Sequence, residues 1–92
     1  TEAFVDLGAE KLLAATNGKD KIAVEVKSFV GSSELYEFHT SIGQFINYKK
    51  AIQKTEPERI LFLAVPKETY ETFFKHDLVE ELVLENNLKM IV

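Results

Sequence analysis

Cysteine is absent from this 92-residue chain, which excludes a disulfide framework and any thiolate metal cage. That usage fits an intracellular, cytoplasmic setting. Arginine is nearly absent. Arg59 stands alone beside ten lysines, and the formal net charge is −4. Such a balance argues against a strongly basic nucleic-acid module, though not against a nuclease, whose acidic metal site lowers the count. No apolar run approaches the ~20 residues of a membrane span, and no signal-peptide pattern is visible. There is no glycine-rich phosphate loop followed by Lys and Ser/Thr, and no Ser-His-Asp set. His39 and His76 lie far apart without Cys partners, so zinc is not expected. Repeats, linkers and low-complexity stretches are missing as well.

What is present suits one small globular domain spanning 1–92. Hydrophobic residues make up 46 % and charged residues 28 %, with seven Phe and three Tyr to build a core. The chain opens at Thr1 in a strand-like segment and stops at Met90-Ile91-Val92 in another. Both ends read as cut, and the native domain is expected to extend further. Cut strands left exposed would favour pairing between copies, a homo-oligomer.

Alternation over residues 3–9 predicts a strand. The stretch to residue 15 reads as its continuation, one long strand with Gly8 as a bulge or kink point. Asn17-Gly18-Lys19-Asp20 is a strong turn, folding this strand back onto a second over 21–28. Ser33 suits a helix N-cap, and Glu34 and Glu37 favour the positive end of the helix. The helix is predicted over about 34–54, with Phe38, Ile42, Phe45 and Ile52 near one stripe and Ile46 and Tyr48 beside it. Gly43 costs about 1 kcal/mol there relative to Ala, which close packing on the sheet would explain. Arg59–Val65 reads as a central strand buried on both faces. Pro66 suits the first turn of a short helix over 67–75. Asp77-Leu78-Val79-Glu80 resembles a capping box opening a helical piece to about 85. Leu88–Val92 is a last strand. The order strand-strand-helix-strand-helix-strand makes this an α/β fold with a mixed sheet.

The chemistry centres on Ile22-Ala23-Val24-Glu25-Val26-Lys27. With a period of two, Ile22, Val24 and Val26 share one face, read as core, and Ala23, Glu25 and Lys27 share the other. A charge pair cut into an apolar strand is costly unless it pairs, binds metal or has a function. If 3–9 pairs with 21–28, Asp6 joins Glu25 and Lys27. Asp6, Glu25 and the Val26 carbonyl then offer a hard-cation site for Mg²⁺ or Mn²⁺, with Lys27 orienting a metal-bound water or stabilising a phosphate. Gln44 and Tyr48, four apart on the following helix, project from one side toward the same pocket. A plainer reading stands beside this one. Glu and Lys at i, i+2 of a strand are most often a solvated face or an ion pair, Gln44 a surface amide, and Tyr48 a packed ring. Lys49, Lys50 and Lys54 are in reach of DNA or merely solubilising.

Asp6, Glu25-Val26-Lys27 and Gln44-x-x-x-Tyr48 have the order and spacing of the PD-(D/E)xK nuclease superfamily, including the helix of its RecB-like branch. More closely, Val5–Glu10, Ile22–Phe29, Gly43-Gln44-Phe45 and Leu63–Pro66 resemble the XisH family, the fdxN-element excision controlling factors of cyanobacteria, over essentially the whole chain. The resemblance implies a restriction-endonuclease-like core. It also implies a role in programmed excision of a DNA element beside a small partner protein, XisI, and a separate recombinase. Asp6, Glu25 and Lys27 match metal and catalytic positions, and Gln44 and Tyr48 the accessory helix. Val5 replaces the usual Pro before Asp6, an N-terminal helix is missing, and the last strand looks clipped. The leading reading is a Mg²⁺-dependent endonuclease, with DNA as its substrate. The alternative is a non-catalytic regulator of excision acting through its protein partner.

Overall fold

Asn17–Asp20 is the turn from which the sheet grows. In the computed structural model, which describes residues 4–7, 11–31 and 33–92, Asn17 pairs with Asp20 across a two-residue loop. Gly18 takes φ +63° there, a left-handed conformation that a side chain resists. The loop joins β2 (Lys11–Asn17) to β3 (Asp20–Val26). β1 (Phe4–Asp6) pairs antiparallel with β2, with Val5 opposite Leu12 and Asp6 opposite Lys11. β4 (Arg59–Ala64) lies parallel to β3, and β5 (Met90–Ile91) parallel to β4, so the sheet runs in chain order.

Two crossovers make the parallel pairs. The first is α1 (Glu34–Thr55). The second comprises α2 (Lys67–Thr72), a 3-10 turn at Phe73–Lys75, and α3 (Asp77–Glu85). Parallel crossovers are right-handed almost without exception, and two that step the same way across a sheet set their helices on one face. Burial marks that face. Val5, Leu12, Ala23, Leu61 and Leu63 are buried under Phe38, Phe45 and Ile52 of α1. On the opposite face Phe4, Leu13, Val26 and Ile60 are 45–61 % exposed.

The α/β class and the five-stranded mixed sheet agree with the sequence reading, and the endonuclease-like label goes further than this topology. Three local expectations are corrected. Residues 3–15 are not one strand, because the chain reverses between Asp6 and Lys11. Gly8, the expected kink, lies outside the described residues. The core face of β3 is the one carrying Ala23, which is fully buried between Ala14 and Leu61, while Val26 is 61 % exposed. Finally, His76 takes the N-cap position of α3 with no side-chain cap bond, so Asp77–Glu80 is not a capping box. Asp77 and Glu80 lie in the helix's first turn instead.

The helix signals at Ser33 hold. Its hydroxyl accepts from the Tyr36 backbone N–H at 3.2 Å, and Glu34 and Glu37 occupy the first turn. Gly43 is not packed on the sheet, since a Cβ added there meets nothing within 4 Å. Gly43→Ala is therefore expected to stabilise the protein by about 0.5–1 kcal/mol. Urea denaturation measures it, and a loss of stability would show that Gly43 is needed for its backbone.

Candidate functional site

Glu25 and Lys27 do meet. Lys27 Nζ lies 3.4 Å from Glu25 Oε1, and their side chains are only 23 % and 15 % exposed. Both sit near the end of β3, where Glu25 is opposite Leu63 and the Lys27 backbone N–H donates to the Ala64 carbonyl at 3.0 Å. Parallel pairing with β4 thus fixes the backbone under the pair. In a mostly dry setting each charge answers the other, and the carboxylate is already neutralised. That is the arrangement of a structural ion pair.

Asp6 does not join them. β2 intervenes between β1 and β3, which separates their backbones by about two strand spacings, roughly 10 Å. The registers also put Asp6 on the face of Phe4, Leu13 and Val24, opposite to that of Glu25. Asp6 is exposed where Glu25 is nearly covered. The Val26 carbonyl belongs to the β3 backbone, so it too lies about two strand spacings, roughly 10 Å, from the backbone of Asp6. The expected Mg²⁺ or Mn²⁺ site at Asp6, Glu25 and Val26 is therefore corrected. No group of three or more His, Asp or Glu among the described residues is placed to hold a metal ion. The error came from pairing residues 3–9 directly with 21–28.

Gln44 and Tyr48 lie one turn apart on α1. Tyr48 is buried and Gln44 half-buried, with its Oε1 closed off from solvent and without a hydrogen-bond partner among the described residues. An acceptor left this way costs about 1–3 kcal/mol. His39 and His76 are both exposed, His39 beside the Phe38 ring and His76 beside that of Phe73.

Sequence reasoning missed Arg59 as more than a strand residue. Its side chain is fully buried. Nη1 donates to the Ile22 carbonyl at 2.8 Å, and Nε and Nη2 donate to Glu56 Oε1 at 3.2 and 3.0 Å. The clue was available in the only Arg, placed three residues after a Glu at the start of an apolar strand.

The described residues form an α/β domain with a five-stranded mixed sheet and a Glu25–Lys27 ion pair near the end of β3. The comparisons with known proteins narrow that class. A family model described as XisH protein matches residues 1–92, and the chain belongs to the XisH family. The crystal structure of an XisH family protein from Nostoc punctiforme PCC 73102 superposes with a TM-score of 0.88 at 48 % identity, covering 99 % of this chain and 75 % of that one. That of a fdxN element excision controlling factor protein from Anabaena variabilis also gives 0.88 and 48 %, covering 100 % and 75 %. No curated protein matches the chain.

The endonuclease reading is corrected by these findings. The relatives are an XisH protein and a controlling factor of excision, and neither likeness reaches the PD-(D/E)xK nucleases. The geometry agrees, because the residues expected to share one metal do not converge. No helix among the described residues is long and apolar enough to cross a membrane.

Proposed function

We propose that this chain controls the excision of a DNA element through a protein partner and does not itself cut DNA. The observation that carries the reading is the 48 % identity, over the whole chain, to a fdxN element excision controlling factor protein. The Glu25–Lys27 ion pair supports it, since a carboxylate bound to its own ammonium is a poor ligand for a divalent cation. The partner is a small protein of the XisI type, and DNA and the recombinase are engaged indirectly.

The test has two arms. With supercoiled plasmid and Mg²⁺ or Mn²⁺, the purified protein is expected to produce no nicking above background. In cells supplied with recombinase and partner, the charge-free pair Glu25→Gln with Lys27→Met, which strands no buried charge, is expected to support excision of a reporter element as well as the parent does. Metal-dependent nicking that disappears in Lys27→Ala would overturn the proposal. So would failure of the partner protein to co-purify with the parent chain.

A further inference from the structure

One end of the molecule gathers lysine against apolar surface. Between the second half of α1, the start of β4 and the turn after α3 lies a cavity of about 160 Å³. Pro57 and Ile60 supply its exposed apolar wall beside the buried Phe45, Ile52 and Leu61, and Lys49, Gln53, Asn87 and Lys89 its polar part. A wider, shallower hollow of about 580 Å³ shares Phe45, Lys49, Gln53 and Asn87 with it and adds Asn47 and Lys50. The two form one groove, with a small, partly open hollow at one end and a shelf of amides and ammonium groups beside it.

Size limits the occupant of the small hollow. Drug-sized ligands occupy roughly 300–1,000 Å³, whereas an apolar cavity of roughly 150 Å³ takes a single benzene ring. The small hollow therefore suits one aromatic or branched aliphatic side chain. Charge limits what flanks it. Lys49, Lys50 and Lys89 line the groove against a single carboxylate, Glu85, in a chain whose net charge is −4. Arg59 also borders the small hollow, but its guanidinium is bonded to Glu56 and the Ile22 carbonyl. The amides of Asn47, Gln53 and Asn87 offer donors and acceptors of the kind an extended backbone needs.

Nucleic acid fits less well. Single strands are held by bases stacking on open aromatic faces, and the one aromatic residue here, Phe45, is only 2 % exposed. We propose that the groove docks an acidic segment of a partner protein, with one apolar anchor side chain in the cavity and flanking carboxylates on Lys49, Lys50 and Lys89. The inference rests on the reading that this chain works through a protein partner, and it names the surface used.

The probe is a fluorescein-labelled peptide, Asp-Glu-Phe-Asp-Glu, with two analogues: Ala in place of Phe, and Lys in place of the four acids. Titration into the ¹⁵N-labelled protein is expected to shift the amides of Lys49, Gln53, Asn87 and Lys89. Affinity is expected to fall about tenfold or more for either analogue and for Lys49→Glu with Lys89→Glu, since a few anchors dominate such interfaces. It is also expected to weaken with salt. A thermal melt checks that the double variant folds, and Lys89→Glu, at an exposed position, serves alone if it does not. Shifts elsewhere, no shifts at all, or binding indifferent to charge reversal would overturn the proposal. So would an oligothymidine that shifts the same amides and displaces the peptide. If the peptide fails while the partner still co-purifies, the docking site is wrong and the functional reading stands. If the partner never binds the parent chain, the functional reading fails whatever the peptide does.

Discussion

Phe38→Ala is expected to destabilise the protein by about 3–5 kcal/mol, the range for truncating a buried Phe. A domain of this size holds about 5–15 kcal/mol in all, so the variant stands at the edge of folding. Phe38 is wholly buried, and its ring lies 5.6 Å edge-on from both Phe73 and Phe74. Those two rings also pack on Phe29, at 5.9 and 5.5 Å. The four phenylalanines tie together the loop after β3, the first half of α1 and the 3-10 turn. Phe29 holds φ 57°, a conformation that costs a bulky residue about 1–2 kcal/mol and persists only where packing imposes it. Removing Phe38 leaves a cavity and loosens that restraint. The thermal midpoint should fall by roughly 12–40 °C, with Phe38→Leu in between because it keeps volume but loses the ring pairs. A fall of only a few degrees would show that the cluster collapses around the gap and is not the anchor of these segments.

Arg59→Ala is expected to cost about 3 kcal/mol, the low end for removing one partner of a buried ion pair. The low end applies because Glu56 keeps 26 % exposure and is rehydrated once alone. The larger loss is at the Ile22 carbonyl, where the guanidinium of β4 bonds the backbone of β3 across 37 residues of sequence. Losing a hydrogen bond from a charged donor costs about 1.5–3 kcal/mol. Arg59→Met keeps the apolar stem and should recover part of the loss, whereas Arg59→Lys should not recover the three-point contact, since an ammonium lacks the planar fork. Urea denaturation of the set decides it. Arg59→Ala within 1 kcal/mol of the parent would mean that water replaces the guanidinium at no cost.

Much of this architecture was legible from short-range signals. Ser33 with Glu34 and Glu37 announced α1, Asn17–Asp20 announced a hairpin, and the apolar run from Arg59 announced a strand inside the sheet, although that strand is buried on one face only, with Ile60 45 % exposed on the other. These are local effects, settled by the backbone and its nearest neighbours. The misread features depend on which strand lies beside which. Alternation along Ile22–Lys27 says that two faces exist and leaves open which one the helix covers. Ala23, the smallest side chain in the run, held that answer. Alternation likewise could not split residues 3–15, because Leu12 and Leu13 extend the pattern whether the chain runs on or turns back. The candidate metal site failed for the same reason. Asp6, Glu25 and Lys27 have the spacing of a metal centre only if β1 neighbours β3, and the intervening β2 removes that condition.

The one-sided sheet has a consequence for the order in which the chain is made. The β1–β2–β3 meander is complete as soon as Val26 has been synthesised, before the α1 residues Phe38, Phe45 and Ile52 that pack over Val5, Leu12 and Ala23. The outer edge of β3 waits still longer, until all of α1 and then Arg59–Ala64 have followed. Through that interval the sheet lacks α1 and its edge along β3 is unpaired, the condition in which strands pair with the wrong neighbour. Lys19 and Lys21 at the tip of its hairpin, and Glu25 and Lys27 at the other end of β3, place charge at both ends of that waiting edge.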